Sequence, residues 1–419
     1  MNYNEAMSFV NSYSKSGKAV TDLSRSRELM KRIGNPEKQL KFVHVAGTNG
    51  KGSTVEYISN ALIYSGYKTG QFTSPYIIHY ADRIRINGQE IDENSLCEIA
   101  EKVKNSVADA EYSQFEITMA IALLWYVREK CDIVVLEAGI GGLLDCTNVI
   151  PPPLVAVITS ISLDHTAILG DTVEKIAAQK AGIIKENSAV VLSFDNSCET
   201  YEIVKKAADK VGSELITMEH FDFEMLPVEP DGQPFIYLRK KYKTAMFGNA
   251  QPINAVTAIE VCHFLRKKGF DISEENIKKS VETSQIKARC QYIDGEPPFI
   301  IDGGHNPEGI ANFVGVLDKI NRPVYAVLGM VDTKDYEQGA TRIAHYAKKI
   351  YTVDSFAYNA VNADKLAEIA SEFAYAESCG TLEEAVGKAT GDALMNDGIV
   401  AVCGSLYLAS EHLNNCENQ

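Results

Sequence analysis

The chain has 419 residues, of which 45% are hydrophobic and 23% charged, so it can bury a substantial core and form two or three compact units. Its formal net charge of -15 gives no support to nucleic-acid binding, which requires a basic patch or stripe. The N-terminal sequence lacks the pattern of a secretory signal, and no apolar run is long enough to span a membrane. We therefore expect a cytoplasmic protein without nucleic-acid or membrane partners.

The nine cysteines are scattered and form neither C-x-x-C pairs nor clusters with histidine. Reduced thiols fit this spacing better than disulfides or structural zinc. We expect cysteines such as Cys146 and Cys403 to be buried and to act as small apolar side chains.

Short β-branched runs alternate with amphipathic segments of helical period, which predicts a parallel α/β fold. In the first two thirds of the chain the clearest predicted strands are residues 42–46, 133–137, 155–159 and 189–192. All of them are apolar enough to lie in a sheet that is covered on both faces. The predicted N-terminal domain therefore has a mostly parallel sheet.

A similar alternation restarts near Phe299 and predicts a smaller, doubly wound, Rossmann-like C-terminal domain. Its predicted strands end at Asp302 and span 324–329, 350–354 and 399–404, with a helix at 308–320. Residues 222–243 are predicted to form a hairpin or an irregular insertion that closes the first domain. A helix is predicted at 253–268, and it leads through residues 273–283 towards the second domain. We place the domains at 1–284 and 285–419.

A glycine-rich loop follows the first of these strands and precedes a helical pattern, which is the context of a phosphate-binding loop. In such a loop the backbone amides approach phosphate oxygens, and Lys51 neutralises the β- and γ-phosphates. The strict pattern is not met, because Val45 stands at the first glycine position and a glycine follows the lysine. The loop consists of Gly47, Thr48, Asn49, Gly50, Lys51, Gly52, Ser53 and Thr54.

Two polar residues follow neighbouring buried strands, and ligands collect at the carboxyl edge of such sheets. Glu137 ends the strand 133–137 and can supply the carboxylate that holds magnesium beside a phosphate-binding loop; the alternative is a structural strand-end glutamate. His165 is either a metal ligand, with Asp164 and Thr166 beside it, or a structural histidine. Lys180, on a helix after His165, has the pattern of a surface lysine. The residues by themselves indicate a magnesium-dependent ATPase or phosphoryl-transfer enzyme.

Taken together, the motifs resemble those of the folylpolyglutamate synthase and dihydrofolate synthase family, the folate branch of the Mur-type ligases. The resemblance runs over nearly the whole chain, in the family's order and approximate spacing. It is carried by residues 47–53 (GTNGKGS), 72–75 (FTSP), 115–116 (FE), 137–142 (EAGIGG), 163–166 (LDHT), 169–171 (LGD), 180–185 (KAGIIK), 302–307 (DGGHNP) and 404–407 (GSLY).

The resemblance implies roles at the matching positions. Two magnesium ions would be held by Ser74, Glu137 and His165, and Lys180 would be carboxylated on its amine to support the second metal. The catalytic residues would be Lys51, His165 and Lys180. ATP would be bound by the glycine-rich loop, with further contacts from Asn254, Arg289, Asp302 and His305, the last in a cleft between the domains. Substrate would be bound by Phe115, Glu116, Leu144 and Asp145.

The reaction implied by the resemblance activates a carboxylate as an acyl phosphate and couples it to an amino acid. The expected substrates are ATP, L-glutamate and either a folate or dihydropteroate, and the expected state is a monomer. Because ATP would be bound by both domains, catalysis would require closure of the cleft.

Some positions depart from the family's pattern. Leu143 stands where many relatives have an arginine, so a cation is absent beside the expected acid pocket, and only Arg289 is kept from the family's motif at 286–291. Ala250 replaces the usual histidine before Gln251, and the motif at 332–335 is stretched. The departures at Leu143 and around Arg289 motivate one alternative to a folate ligase, a Mur-type ligase for another carboxylate. A separate alternative, from another class, is a nucleotide-binding module without ligase activity. A kinase that only transfers phosphate to its product is also possible, but the second domain and the Lys180 segment would have no evident function in such an enzyme.

Overall fold

The computed structural model describes residues 1–14, 21–107, 111–229 and 232–417. The helices are α1 (Tyr3–Asn11), α2 (Ser24–Arg32), α3 (Lys51–Tyr64), α4 (Glu93–Ser106), α5 (Gln114–Arg128), α6 (Thr166–Leu169), α7 (Val173–Ala181), α8 (Cys198–Val211), α9 (Ala250–Lys267), α10 (Glu274–Thr283), α11 (Pro307–Leu317), α12 (Tyr336–Ala344), α13 (Ala363–Ser371), α14 (Leu382–Met395) and α15 (Leu406–Glu417). Short 3₁₀ helices lie at Pro36–Gln39, Tyr80–Arg83, Cys146–Val149 and His220–Asp222.

The strands are β1 (Phe42–Ala46), β2 (Thr69–Phe72), β3 (Ile84–Ile86), β4 (Gln89–Glu90), β5 (Ile133–Glu137), β6 (Val155–Ile158), β7 (Ala189–Leu192), β8 (Glu214–Ile216), β9 (Phe223–Met225), β10 (Gln233–Tyr237), β11 (Lys240–Thr244), β12 (Gln291–Ile293), β13 (Phe299–Ile301), β14 (Val324–Leu328), β15 (Lys349–Thr352), β16 (Tyr375–Ser378) and β17 (Ile399–Cys403). Strands β11, β10 and β9 form a small sheet in that order.

The large sheet has the order β4-β3-β2-β5-β1-β6-β7-β8. Strands β2, β5, β1, β6, β7 and β8 run parallel, whereas β3 is antiparallel to both of its neighbours. Strand β1 lies between β5 and β6, and all of its residues are buried. The carboxyl ends of β1, β2, β5 and β6 therefore meet at one edge of the sheet, which is where the predicted site residues begin.

Helices cover this sheet because their apolar stripes need a partner. One core cluster joins Phe42, Phe72 and Leu136 of the strands to residues of α1, α2, α4 and α5. Another joins Ala156 and Ile158 of β6 to residues of α7 and α8. The strands are thus buried as the apolar runs predicted, and the parallel α/β fold of the N-terminal part is confirmed.

The smaller sheet has the order β12-β13-β17-β14-β15-β16, parallel except for β12. Strands β14 and β17 are central and buried throughout. The predicted strands of both sheets agree with the structure to within two residues at either end. The strands of these two sheets that were missed are β2, β3, β4, β8, β12 and β16, all of which are short. Strands β2 (T-G-Q-F) and β16 (Y-A-E-S) were missed because neither is an apolar β-branched run.

The chain forms two compact units: Met1–Glu224, Tyr237–Lys240 and Ile253–Thr283 in the first, and Met225–Ile236, Lys241–Pro252 and Ser284–Gln419 in the second. The hairpin prediction is confirmed, but most of the hairpin groups with the second unit and not with the first. The segment that follows β11 explains why, since Phe247 packs against the core of the second unit and Asn249 accepts a hydrogen bond from Lys319. A domain boundary at residue 284 stays a prediction.

The cysteines are reduced thiols in the part of the chain that the structure describes. Cys403 is buried, as expected, but Cys146 is only partly buried, with its thiol 3.7 Å from the Met119 sulfur. Among the described residues, no helix combines the length and the apolar character needed to cross a membrane.

Candidate active site

The loop between β1 and α3 has a backbone that requires glycine near its end. Gly50 has a φ of +81°, and a Cβ atom there would lie 2.2 Å from Oδ1 of Asn254, a buried residue on α9. Helix α3 begins at the next residue, Lys51. The amides of the first turn of α3, which have no acceptor within the helix, are the donors that bind phosphate at helix N-termini.

The same loop is fixed against the segment that follows β6. A Cβ atom on Gly47 would lie 1.7 Å from Oγ1 of Thr159, so the two backbones approach closely. The Thr48 amide donates to the Ser160 carbonyl at 2.7 Å, and the Thr48 hydroxyl donates to the Ser162 carbonyl at 3.1 Å. Neighbouring strands β1 and β6 thus place the glycine-rich loop beside the segment that leads to His165.

Two lysine amines converge on one carbonyl oxygen of the loop. The Lys51 amine donates to the Gly47 carbonyl at 3.1 Å and to the Thr48 carbonyl at 3.0 Å. The Lys180 amine, from α7, donates to the same Gly47 carbonyl at 2.6 Å. Lys180 is 4% exposed, so its interpretation as a surface lysine is wrong. Burial, with Lys51 as a second cause, lowers the pKa of the Lys180 amine to about 7.

Glu137 lies at the end of β5 and faces both the glycine-rich loop and Ser74, two residues after β2. It is 3% exposed. One carboxylate oxygen accepts a hydrogen bond from the Ser74 amide at 3.1 Å, and the other lies 4.0 Å from the Lys51 amine. The structure therefore brings together Lys51, Ser74, Glu137 and Lys180 at the carboxyl edge of the sheet. The residue pattern predicted this place for Lys51 and Glu137, whereas Ser74 and Lys180 were expected there only from the resemblance.

His165 lies between β6 and the short helix α6 and has a left-handed backbone with a φ of +49°. Its side chain is 43% exposed, and Nε2 lies 3.9 Å from a carboxylate oxygen of Asp164. The amide of His165 donates to the other Asp164 oxygen at 2.8 Å. Asp164 therefore neighbours the imidazole as the sequence suggested, while Thr166 begins α6.

In the second unit, Asp302 follows β13 and fixes the segment that carries Arg289. Its carboxylate accepts hydrogen bonds from the Cys290 amide at 2.9 Å and from the Gly304 amide at 2.7 Å. The pKa of Asp302 is raised, because the effect of burial exceeds the opposing effect of the charge of half-buried Arg289. The imidazole Nδ1 of His305 lies 3.0 Å from the Gly303 carbonyl. The predicted contacts of these side chains with ATP remain predictions.

Glu116 is part of an intramolecular network at the start of α5. It is 2% exposed and forms a capping box with Ser113. Its carboxylate also accepts a hydrogen bond from the Ser26 hydroxyl at 2.6 Å and pairs with the Arg25 guanidinium at 2.8 Å. The carboxylate therefore joins α5 to α2, and its predicted contact with substrate stays a prediction.

Asp145 is likewise buried, and it shapes the loop that follows β5. Its carboxylate accepts hydrogen bonds from the Ile140 amide at 2.9 Å and the Thr147 amide at 3.0 Å, and a further one from the Thr147 hydroxyl. Leu144 beside it is half-buried, and Leu143 is 45% exposed. The aromatic ring of Phe115 lies against the same loop, since a Cβ atom on Gly139 would be 2.6 Å from Phe115 Cε1.

Two buried basic residues were missed by the sequence analysis. His44 lies in the middle of β1, with Nε2 2.9 Å from the Thr147 hydroxyl. Arg83 lies among aromatic rings next to β3. No motif marks either residue, and His44 stands in an apolar run where only its polarity could have drawn attention.

Comparison with known proteins relates the whole chain to ligases. The Mur ligase middle domain matches residues 45–262, and the Mur ligase glutamate ligase domain matches residues 288–406. The dihydrofolate synthase/folylpolyglutamate synthase of Bacillus subtilis is 33% identical over 98% of both chains. The folylpolyglutamate synthase of Lacticaseibacillus casei is 30% identical over 98% of this chain and 97% of that protein.

The chain belongs to the folylpolyglutamate synthase and dihydrofolate synthase family. As a family member built from both Mur ligase domains, it is an ATP-dependent ligase. The structure of E. coli FolC has been solved in complex with DHPP and ADP. It superposes on this chain with a TM-score of 0.87 and 26% sequence identity, over 100% of this chain and 98% of that chain. A folylpolyglutamate synthase complex with AMPPCP and folate gives a TM-score of 0.85 at 28% identity, over 99% and 100% of the two chains.

Proposed function

We propose that this ligase joins L-glutamate to the carboxylate of a folate or of dihydropteroate. One observation carries the proposal: the amines of Lys51 and Lys180 meet at the Gly47 carbonyl, with Glu137 4.0 Å from Lys51. A cluster of this kind at the start of α3 suits transfer of a phosphoryl group, which depends on positioning and charge stabilisation. The folate substrates are supported by the names of the Bacillus subtilis and Lacticaseibacillus casei relatives.

The reaction has two steps. A carboxylate oxygen of the acid attacks the γ-phosphorus of ATP, the bond from that phosphorus to the β–γ bridging oxygen breaks, and ADP leaves. The amine of glutamate then attacks the acyl carbon and loses a proton, and inorganic phosphate leaves as the amide forms. Lys51 and the first-turn amides of α3 bind the phosphates and stabilise the negative charge that moves onto the bridging oxygen.

Magnesium fits this edge of the sheet. Among the described side chains, no group of three or more His, Cys, Asp or Glu could hold a metal by itself. Magnesium is commonly held by one or two carboxylates with phosphate oxygens and waters, and the buried carboxylate of Glu137 fits this chemistry. The Ser74 hydroxyl and His165 are the further groups that we propose would hold two ions. The ions would neutralise charge on the transferring phosphoryl group.

We also propose that the Lys180 amine is carboxylated. The amine is 4% exposed and donates a hydrogen bond to the Gly47 carbonyl, and within the described residues no ion pair joins it to a carboxylate. A buried amine favours its neutral form, which is the form that adds to carbon dioxide: a carbon–nitrogen bond forms and the nitrogen loses a proton. The product is an anion beside Lys51, and it supplies a second carboxylate for the metal.

The remaining expectations extend this proposal. Asn254, Arg289, Asp302 and His305 are proposed ATP contacts, and Phe115, Glu116, Leu144 and Asp145 are proposed substrate contacts. A monomer in the cytoplasm, without nucleic-acid partners, is the proposed state of the protein.

The test is the release of ADP by the purified chain in the presence of ATP, magnesium and glutamate. Three reactions are compared: with dihydropteroate, with tetrahydrofolate and with neither acid. Stimulation by either acid supports the folate ligase and identifies its acceptor. A Lys51→Met variant controls for contaminating ATPases, because it lacks the amine that neutralises the phosphates. Failure of both acids to stimulate ADP release would refute the folate assignment.

A second candidate is a ligase for another carboxylic acid. It is favoured by Leu143, which is 45% exposed and presents an apolar side chain where many relatives have an arginine. Acid-dependent ADP release with a panel of carboxylic acids separates this candidate from the first. ATP binding without stimulation by any acid would instead indicate a nucleotide-binding module.

A further inference from the structure

The motif KAGIIK contains a second lysine, to which the proposed mechanism gives no role. Lys185 follows the end of α7, five residues after Lys180, and is half-buried. Its amine donates hydrogen bonds to two backbone carbonyls, that of Asn148 at 2.8 Å and that of Ile150 at 2.6 Å. Both carbonyls lie at the end of the 3₁₀ helix Cys146–Val149, where carbonyl groups lack donors within the helix. Lys185 therefore joins the end of α7 to the segment that follows β5.

Asn148 makes a second connection between the same two segments. Its side-chain amide donates to the Gly182 carbonyl at 3.0 Å and to the Leu143 carbonyl at 3.1 Å. The Leu143 amide in turn donates to the Gln179 carbonyl at 2.7 Å. Lys180 lies between the two residues of α7 and its end that accept these bonds, so its backbone is held from both sides.

We call these contacts the seam, defined as residues 142–150 on one side and residues 179–185 on the other. The seam is closely packed as well as hydrogen-bonded. A Cβ atom on Gly142 would lie 2.9 Å from the carbonyl oxygens of both Gln179 and Lys180. Backbones that approach this closely leave no space for α7 to slide or rotate against the segment after β5. The seam therefore sets where the backbone of Lys180 lies.

The position of α7 matters for chemistry because Lys180 reaches the glycine-rich loop from the last turn of this helix. The Lys180 amine donates to the Gly47 carbonyl at 2.6 Å, and the Lys51 amine donates to the same oxygen at 3.1 Å. A carboxylate formed on Lys180 would therefore lie beside Lys51. In such a site a displacement of about 1 Å can cost about 100-fold in rate.

The surroundings of the two lysine amines favour carboxylation of only one of them. Burial lowers the pKa of Lys180 to about 7 and that of Lys185 to about 8. A carboxylate on Lys180 would face the positive charge of Lys51, which attracts it. A carboxylate on Lys185 would instead face two carbonyl oxygens, which repel an anion. Lys185 is thus suited to remain an amine and to donate hydrogen bonds.

We infer that Lys185 is a positioning residue for Lys180: its two hydrogen bonds hold the seam together, and the seam keeps the Lys180 amine at the Gly47 carbonyl. The inference rests on the proposed function, from which the chemical role of Lys180 comes. A positioning role has two consequences that a loss of stability does not have. It changes kcat without changing the KM for ATP, and a small carboxylate in solution compensates for the displaced lysine.

The decisive variant is Lys185→Met, which keeps most of the length of the side chain and removes its donors. The kcat for acid-dependent ADP release should fall by about 10- to 100-fold, because Lys180 is displaced. The KM for ATP should stay unchanged, since the loop between β1 and α3 is not part of the seam. Formate should restore part of kcat, because it supplies a carboxylate at the place that Lys180 has left. Lys185→Arg keeps hydrogen-bond donors and should retain more of kcat than Lys185→Met.

Three further variants test the seam itself. Lys175→Met removes an exposed lysine of α7, which pairs with Asp171 at 2.6 Å, and should change neither kcat nor the response to formate. Ser213→Ala removes the hydroxyl that donates to the Lys185 carbonyl at 2.9 Å, and it should lower only the melting temperature. Asn148→Ala opens the seam from its other side and should reproduce the loss of kcat and the response to formate. This variant decides the matter if Lys185→Met does not fold.

Amine labelling separates this inference from the proposed function. Reductive methylation with formaldehyde is carried out without ATP, acid or bicarbonate, and labelling of Lys180 is followed by mass spectrometry of its peptide. Because Lys180 is 4% exposed, it should be labelled slowly in the wild type and in Lys175→Met. Labelling should be about 10-fold faster in Lys185→Met, in which the seam opens more often. If the wild type shows no acid-stimulated ADP release, the proposed function fails, while faster labelling of Lys180 still supports the positioning role.

Three outcomes would overturn the inference. The first is equal labelling of Lys180 in the wild type and in Lys185→Met. The second is a wild-type kcat in Lys185→Met, or a KM for ATP that rises by the same factor as kcat falls. The third is a loss of kcat that neither formate nor the change to Lys185→Arg reduces, since a lysine needed only for folding would give that result.

Discussion

The stability of the first unit should depend on pH through His44, a buried histidine in the central strand β1. Burial, with the charge of Lys185 as a second cause, lowers the pKa of His44 from 6.5 to about 3. The Thr147 hydroxyl uses its hydrogen to donate to Asp145, so it must accept a hydrogen bond from His44. The proton of the neutral imidazole therefore lies on Nε2, and Nδ1 is buried without a hydrogen-bond partner. A second proton would have to reside on Nδ1, where nothing accepts it.

The sign and size of the effect follow from these two pKa values. Between pH 6.5 and about 3 the unfolded chain binds a proton that the folded chain excludes, so stability is complete above pH 6.5 and falls as the pH is lowered. The loss from this group is about 2 kcal/mol at pH 5 and about 3 kcal/mol at pH 4. His44→Leu removes the group and with it this part of the acid sensitivity.

The measurement is urea unfolding at pH 7.5 and pH 5.0, followed by the fluorescence of Trp125. The sequence has 1 tryptophan, and this residue is 6% exposed on α5, in the same unit as His44. A probe confined to that unit avoids the assumption that the whole chain unfolds in one step. Wild type should lose about 2 kcal/mol more than His44→Leu between the two pH values.

The control is His220→Leu, which removes an exposed histidine of the same unit and should keep the acid sensitivity of the wild type. Other titrating groups are common to all three proteins, so their contributions cancel in the comparison. Equal losses in wild type and His44→Leu would refute the argument from burial.

Three further predictions concern the active site. Gly50→Ala should lower kcat/KM for ATP by about 10-fold or more, because an alanine is strained at this positive φ and its Cβ would lie 2.2 Å from Asn254. Gly34→Ala is the control, since Gly34 has a φ of +90° but a Cβ there would have no atom within 4 Å. This variant should lower only the melting temperature. Lys180→Ala should abolish acid-dependent ADP release, and formate or acetate should restore part of it; full activity without added carboxylate would contradict the role of a carboxylated lysine. Asp145→Asn should destabilise the loop by about 1–3 kcal/mol, because all partners of this carboxylate are donors and one of them must face the amide NH₂; an unchanged melting temperature would contradict this.

The sequence by itself determined much of the fold. Strands β1, β5 and β7 were predicted to the residue, because a fully buried parallel strand needs a continuous apolar run that is visible in one segment. The glycine-rich loop, Lys51 and Glu137 were predicted for a related reason: local turn chemistry and a strand end fix where such residues lie. The order of the motifs along the chain also predicted the family, and the comparisons with known proteins confirm it.

The tertiary structure decided which polar side chains are buried and what they face. Lys180 has the local pattern of a surface residue, yet its amine meets the carbonyl of Gly47, 133 residues earlier in the chain. Arg83 and Arg85 look alike in sequence, but only Arg85 is paired with a carboxylate, which comes from α3. Burial and pairing of a charge depend on elements that are distant in sequence, and no pattern within a single segment records those contacts.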